Sequence, residues 1–307
     1  MLNQDFVLLG TREGKMELTP RHLLYSALRR HGVVKISTPE VSSVLLLQGR
    51  AAFLRLCREV PHRELVKTHS KIYYGAALVK NSTPDGYTYK EGALKPNGDT
   101  GELEWHDAKV YIHVTEAWAH LPAVQTLAEK YPALRSFLEV ALKIRAAFES
   151  EALQLLHALS YHHSDFWNTF IDLNGKIPRL VIRFVGYEKQ PANGEAPVMS
   201  AKVHYDKSGI TLTGDESGPG LQAGLPDGST IDLEGEAGHS YVFAGLFAQQ
   251  ITSTKTNPLS ATPHSVVQLL GASVDERFSR CSTIAFVDPT NAHVTYSSYA
   301  ETHAVPT

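Results

Sequence analysis

Only two cysteines occur in the chain, Cys57 and Cys281. They are too few for a disulfide scaffold, and neither belongs to a C-x-x-C pair of the kind that holds zinc or exchanges disulfides. Two free thiols fit a reducing compartment. Long apolar runs are missing too: no stretch approaches the roughly 20 residues that a membrane-spanning helix needs. The opening MLNQDFVLLG has no basic segment ahead of a long apolar one, so a signal peptide is not expected. Neither sign of charge dominates, with 29 Lys and Arg against 32 Asp and Glu and a net charge of -3. No basic block stands out as an electrostatic footprint for nucleic acid. The expectation is a soluble, cytoplasmic protein whose partners are neither membrane nor nucleic acid.

What is present is a large apolar fraction, 43% of 307 residues, ample for a buried core. The first part, 1–177, reads as mostly helical. Helices are expected over 19–30, behind a Thr-Pro start and ended by Gly32, over 41–58, and from Pro132 to about His163. VVKIS (33–37) reads as a short strand, and 81–107 as loop-rich. From 178 the period changes. In RLVIRFVGY (179–187), Leu180, Ile182 and Phe184 alternate with positions that include Arg183 and Tyr187, the mark of a strand with one face on a core and one on something more polar. SAKVHYD, SYVFAGLF, SVVQLLG and CSTIAFV read as further strands. Residues 207–238 hold eight glycines and read as turns and hairpin connections. Helices followed by closely spaced strands imply an α+β fold. It is expected to be a double-stranded β-helix, or jelly roll, over 178–290, braced by the helices and followed by a polar tail at 291–307, in a single domain.

Histidine is plentiful, with 15 residues, which makes a metal site worth seeking. His204 and Asp206 lie in a strand context, where residues i and i+2 share a face. An imidazole and a carboxylate can then reach one ion, and His264, just before an apolar strand, is the third candidate. Two histidines and a carboxylate on one side of an ion leave three coordination positions open, the facial triad of non-haem iron(II) oxygenases. A competing pair, His163 and Asp165, follows the long helical pattern. Inside a helix those side chains would diverge by about 200°, so it reads as a helix end. Arg280 and Ser282 begin the strand that continues through Ile284 and Phe286. A guanidinium with a hydroxyl beside it can clamp a carboxylate.

Taken in order, His204-Tyr-Asp206, Gly220-Leu-Gln222, His264-Ser-Val266, Arg280-Cys-Ser282 and Asp288-Pro289 resemble the 2-oxoglutarate/Fe(II)-dependent dioxygenases of the isopenicillin N synthase-like type. RFVGYE (183–188) is similar to the strand that leads to that family's Y-P-P turn, with Glu188 in place of the first proline. LLYSALRRHGVVKISTP, DGYTYKEG and WHDAKVYIH resemble segments of its N-terminal half. The resemblance implies Fe(II) held by His204, Asp206 and His264, with 2-oxoglutarate and O2 as co-substrates. The far carboxylate of 2-oxoglutarate would meet Arg280 and Ser282, with Arg277 as the runner-up for the arginine. Tyr187 is expected at the co-substrate or the substrate. Arg183, Phe243 and Phe286, with Phe247, are candidates for the wall of a pocket for a small organic substrate. Hydroxylation, desaturation or cyclisation would follow, with release of succinate and CO2. With Asp206 present, a halogenating variant is disfavoured. Three other readings stay open: an iron oxidase of the same fold that uses no 2-oxoglutarate, a zinc or manganese hydrolase, and a binding module without catalysis.

Overall fold

In the computed structural model the described residues are 5–8, 17–20, 23–61, 64–65, 95–96, 103–104, 109–189, 198–214, 217–269 and 271–290. Strands β1 (Asp5–Leu8) and β2 (Glu17–Pro20) pair with each other and precede helix α1 (Leu24–His31), strand β3 (Val33–Ser37) and helix α2 (Ser43–Glu59). Thr19 and Pro20 thus close a strand and do not open the helix, which starts four residues later than the Thr-Pro pattern suggests. Gly32 does end α1: its φ of 73° is the left-handed conformation that terminates a helix, and its N–H returns to Leu28 O. Two short strands, β4 (Lys95–Pro96) and β5 (Leu103–Glu104), pair with each other. Next come β6 (Lys109–Val114) and the helices α3 (Glu116–Ala119), α4 (Pro122–Lys130), α5 (Pro132–Ser160) and α6 (Asp165–Phe170). The last stretch holds β7 (Leu180–Glu188), β8 (Val198–His204), β9 (Ile210–Gly214), β10 (Leu221–Gly224), β11 (Thr230–Leu233) and β12 (His239–Ala244), then α7 (Leu246–Thr252), β13 (His264–Gln268) and β14 (Phe278–Val287).

Eight strands form one antiparallel sheet in the order β2-β1-β3-β12-β9-β14-β7-β6, and four form another in the order β11-β10-β13-β8. Half of the large sheet therefore comes from the part of the chain that reads as helical. The Gly-rich segment 207–238 also holds more than turns. It contributes β9, buried along its whole length, and the β10–β11 hairpin. Gly220, at the start of β10, has a φ of 115°, and a Cβ there would stand 2.2 Å from Val267 O, so close approach of β10 to β13 requires glycine. DGYTYKEG and the tail 291–307 lie outside the described residues.

Side-chain alternation decides which layer each residue joins. On the large sheet Val34, Ile112, Ile182, Phe184, Leu212, Val242 and Ala285 all point one way and belong to the core shared with the helices. Each fully buried Val, Leu, Ile or Phe on that face contributes about 1.5–3 kcal/mol. Helix α5 supplies the largest part of the opposing surface. Pro132 sits at its first turn, and Phe137, Ala141, Ile144, Phe148, Ala152, Leu155 and Leu159 recur at spacings of three and four as one buried stripe. The opposite face of the large sheet carries Val33, Tyr111, Val185, Tyr187, Tyr241 and Phe243. These pack on Ala201, Leu221, Ala223 and Val266 of the small sheet. That second, smaller core lines the space in which the candidate site lies.

Candidate metal centre

His204 is the last residue of β8, and Asp206 lies in the loop after it. Strand alternation alone therefore does not bring them together; the turn after His204 does. That loop is fixed by main-chain hydrogen bonds to the start of α7: Leu246 N–H to Asp206 O at 2.8 Å, Phe247 N–H to Ser208 O at 3.2 Å and Gly245 N–H to Gly209 O at 3.0 Å. The approach is close enough that a Cβ on Gly245 would stand 2.0 Å from Ser208 O. His264 opens β13 and pairs in register with His204, so the two imidazoles sit side by side with ring centres 4.4 Å apart.

One ligand atom from each of His204, Asp206 and His264 falls within 4.8 Å of the others, and this is the group of that kind found among the described residues. His204 Nε2 is 3.9 Å from Asp206 Oδ1, and His264 Nε2 is 3.5 Å from Asp206 Oδ2. Ligand bonds of about 2.1 Å at right angles set adjacent donors about 3 Å apart. The observed pairs stand a little wider, and small side-chain rotations close them on an ion. Neighbouring groups orient the donors. Thr211 Oγ1 donates to Asp206 Oδ2 at 2.7 Å, and Ser208 Oγ is 2.9 Å from Thr211 Oγ1. His264 Nδ1 lies 3.1 Å from Thr262 O; as the protonated nitrogen it donates there, which leaves Nε2 with its lone pair toward the site. Phe243 stacks on the His264 ring at 5.1 Å. Burial opposes ionisation of Asp206 more than any other single influence. His264, His204, Thr211 and Arg183 together outweigh it and hold the carboxyl below its ordinary value.

One cavity extends from this triad between the two sheets. Its wall includes Tyr187, Arg183, Phe243, Phe286, Arg280 and Ser282. Arg280 and Ser282 are each 3% exposed and share the inward face of β14, with Phe286 nearer the triad. Arg280 Nε donates to Gly218 O at 3.2 Å, and its guanidinium lies 5.5 Å from the centre of the Tyr187 ring, its neighbour in register on β7. Arg277 lies outside this wall: its Nε donates to Glu188 Oε1 at 2.8 Å. That ion pair uses the glutamate found in place of the resembled proline. Phe247 is a further correction. Its ring meets Phe170 at 5.8 Å in the helix-side core, because SYVFAGLF leaves the sheet at Gly245 and turns into α7.

His163 and Asp165 stand at the boundary between α5 and α6, as expected of a helix end. Their side chains do not diverge, since His163 precedes α6 outside either helix; Nδ1 is 3.5 Å from Asp165 Oδ2. No third ligand joins them among the described residues. The sequence reading missed Lys109, Tyr111 and His113, which lie on the inward face of β6, and Thr211 beside the carboxylate. Their signal was the alternation in KVYIHV and ITLT.

No protein-family model matches the sequence, and no curated protein matches it either. Solved structures do. A Shewanella oneidensis protein assigned as an oxygenase gives a TM-score of 0.63 at 18% identity, over 92% of this chain and 93% of that one. Dioxygenase for auxin oxidation 1 from Arabidopsis thaliana, in binary complex with 2-oxoglutarate, gives 0.59 at 15%, over 88% of each chain. JOX2 in complex with 2-oxoglutarate, Fe and JA gives 0.60 at 18%, over 88% of this chain and 71% of that one. This chain has the 2-oxoglutarate/Fe(II) oxygenase fold. The two sheets are accordingly the jelly-roll core of an oxygenase fold, with no closed barrel, and the helices brace its larger sheet. Within it His204, Asp206 and His264 form a donor set that fits a ferrous ion. Among the described residues, no helix of this oxygenase-fold protein is long and apolar enough to cross a membrane.

Proposed function

We propose that this protein is an Fe(II)- and 2-oxoglutarate-dependent oxygenase that oxidises a small organic substrate and releases succinate and CO2. The observation that carries the reading is one cavity with a triad of two histidines and a carboxylate, and a buried Arg280–Ser282 pair along its wall. In the presence of O2 the bound iron and co-substrate supply the oxidising power that breaks a substrate C–H bond. The protein's own residues do the rest. His204, Asp206 and His264 would hold the ion and leave it positions for other ligands. Arg280 and Ser282 receive the distal carboxylate of 2-oxoglutarate through charge-assisted hydrogen bonds, and Tyr187 supports the guanidinium from the neighbouring strand. Phe243 and Phe286 keep the wall apolar and limit water. A small substrate is the natural class: JOX2, of the same fold, is in complex with JA. One domain and a cytoplasmic setting, with Cys57 and Cys281 as free thiols, complete the proposal.

Anaerobic titration tests it. Fe(II) followed by 2-oxoglutarate should give a visible charge-transfer band, and aeration with substrate should release succinate. Iron binding without the band points to an oxidase that uses no 2-oxoglutarate; zinc binding with hydrolysis and no band sinks the oxygenase reading.

A further inference from the structure

Arg183 is left over by the reading above. The distal carboxylate of 2-oxoglutarate needs one arginine, and the cavity wall has two. They sit at different levels. Arg280 is opposite Tyr187 in register, whereas Arg183 is opposite Ile284, four residues along the strand. At about 3.3–3.4 Å per residue their backbones are some 13 Å apart. Their side chains also face different ends. Arg280 rests on Tyr187, away from the triad. The Arg183 guanidinium carbon stands 4.7 Å from the centre of the Phe286 ring. Phe286 is in register with Thr211, whose hydroxyl holds Asp206. In these positions the two guanidiniums serve different levels of the cavity.

The Arg183 guanidinium is held in place before any ligand arrives. Its Nε donates to His113 Nε2 at 2.7 Å, and the Tyr111 ring lies 4.5 Å from it, so an imidazole takes one edge and two rings fix its plane. Its charge acts on the Asp206 carboxylate without a direct ion pair among the described residues. The remaining Nη nitrogens form a planar fork suited to an oxyanion. A divalent ion at the triad would add positive charge near a half-buried cation, and Asp206 would be spent on that ion. A negatively charged group is the favourable occupant of the space between them.

We infer that the substrate oxidised at this centre is a carboxylic acid, its carboxylate gripped by Arg183 and its body laid against Phe286 near the metal. The inference rests on the oxygenase reading, and its test is arranged to separate the two. Protein loaded with Mn(II) and 2-oxoglutarate is screened by thermal shift against aromatic and aliphatic monocarboxylic acids, from phenylacetate and cinnamate upward, each paired with its carboxamide. Hits are measured by calorimetry. Acids should bind about tenfold or more tightly than their amides. Arg183→Gln should remove that preference while keeping the anaerobic Fe(II)·2-oxoglutarate band, and Arg183→Lys should restore part of it. Equal binding of acids and amides overturns the inference, as does a panel in which no acid binds. Loss of the band in Arg183→Gln with retention in Arg280→Gln also overturns it, because Arg183 would then hold the co-substrate. A wild-type protein with no band sinks the oxygenase reading instead, and the acid–amide comparison on the Mn(II) form still decides the carboxylate.

Discussion

Thr211→Val is the substitution that most directly tests how the carboxylate ligand is held. Valine matches threonine in shape and replaces a hydroxyl that is buried, 2.7 Å from Asp206 Oδ2. A hydrogen bond to a charged group contributes about 1.5–3 kcal/mol. If the whole of that were lost from the metal complex, affinity would fall about 10- to 150-fold. Part of the bond also stabilises the metal-free carboxylate and cancels, so the expected loss is about 10- to 100-fold, the range usual for groups that orient a metal ligand. Ser208 Oγ and Asp206 Oδ2 also lose a buried partner, which costs stability about 1–3 kcal/mol. Affinity is therefore measured well below the melting transition, by competition of Fe(II) or Co(II) against a calibrated chelator under anaerobic conditions. Thr211→Ser should return most of the affinity. A change in Kd below about threefold for Thr211→Val would refute the assigned role of the hydrogen bond, and so would failure of serine to rescue it.

Gly245→Ala should also weaken metal binding, since its Cβ would meet Ser208 O at 2.0 Å and push the Asp206 loop away from α7; chelator competition reads this, and unchanged affinity with a normal melting curve would refute it. Burial holds the His163 imidazole below its ordinary 6.5, so the folded state favours the neutral ring. The associated stability is present above 6.5 and is lost as pH falls from there through the folded value. Urea midpoints should therefore drop more between pH 7.5 and 5.5 for the wild type than for His163→Gln, and parallel curves would contradict the sign. Burial pushes the Cys57 thiol up to about 12, and Cys281 is 2% exposed. Neither should react with a disulfide reagent near pH 8 until the protein is unfolded, as thiol counting with and without denaturant would show.

The candidate metal-binding cluster was legible because residue type and spacing carry most of the information. Two of its members sit two residues apart, and the third stands at the head of an apolar run. The pair Arg280 and Ser282 was legible for a similar reason, as was the two-faced strand from Leu180 to Tyr187. Thr211 was hidden because the eight glycines of 207–238 read as turns and outweighed the short alternation of Ile210, Thr211, Leu212 and Thr213. Lys109, Tyr111 and His113 escaped because the loop-like residues before them drew attention from KVYIHV. The strand reading of His204-Tyr-Asp206 reached the same cluster of side chains by an incomplete route. What holds Asp206 is the approach of α7 from 40 residues downstream, a long-range main-chain contact that local pattern cannot report.

The alternation along β7 and β14 has a consequence for redesign. Successive residues answer to different masters: Leu180, Ile182, Phe184 and Ala285 to the helices, Arg183, Tyr187, Arg280, Ser282 and Phe286 to the cavity. A library that varies the inward set but spares Arg280 and Ser282 would reshape the cavity wall with little effect on the main core. One that varies only the outward set would change stability and leave the cavity wall as it is. Each strand behaves as two interleaved sequences, and comparisons between proteins of this fold would be more informative if the two were scored separately.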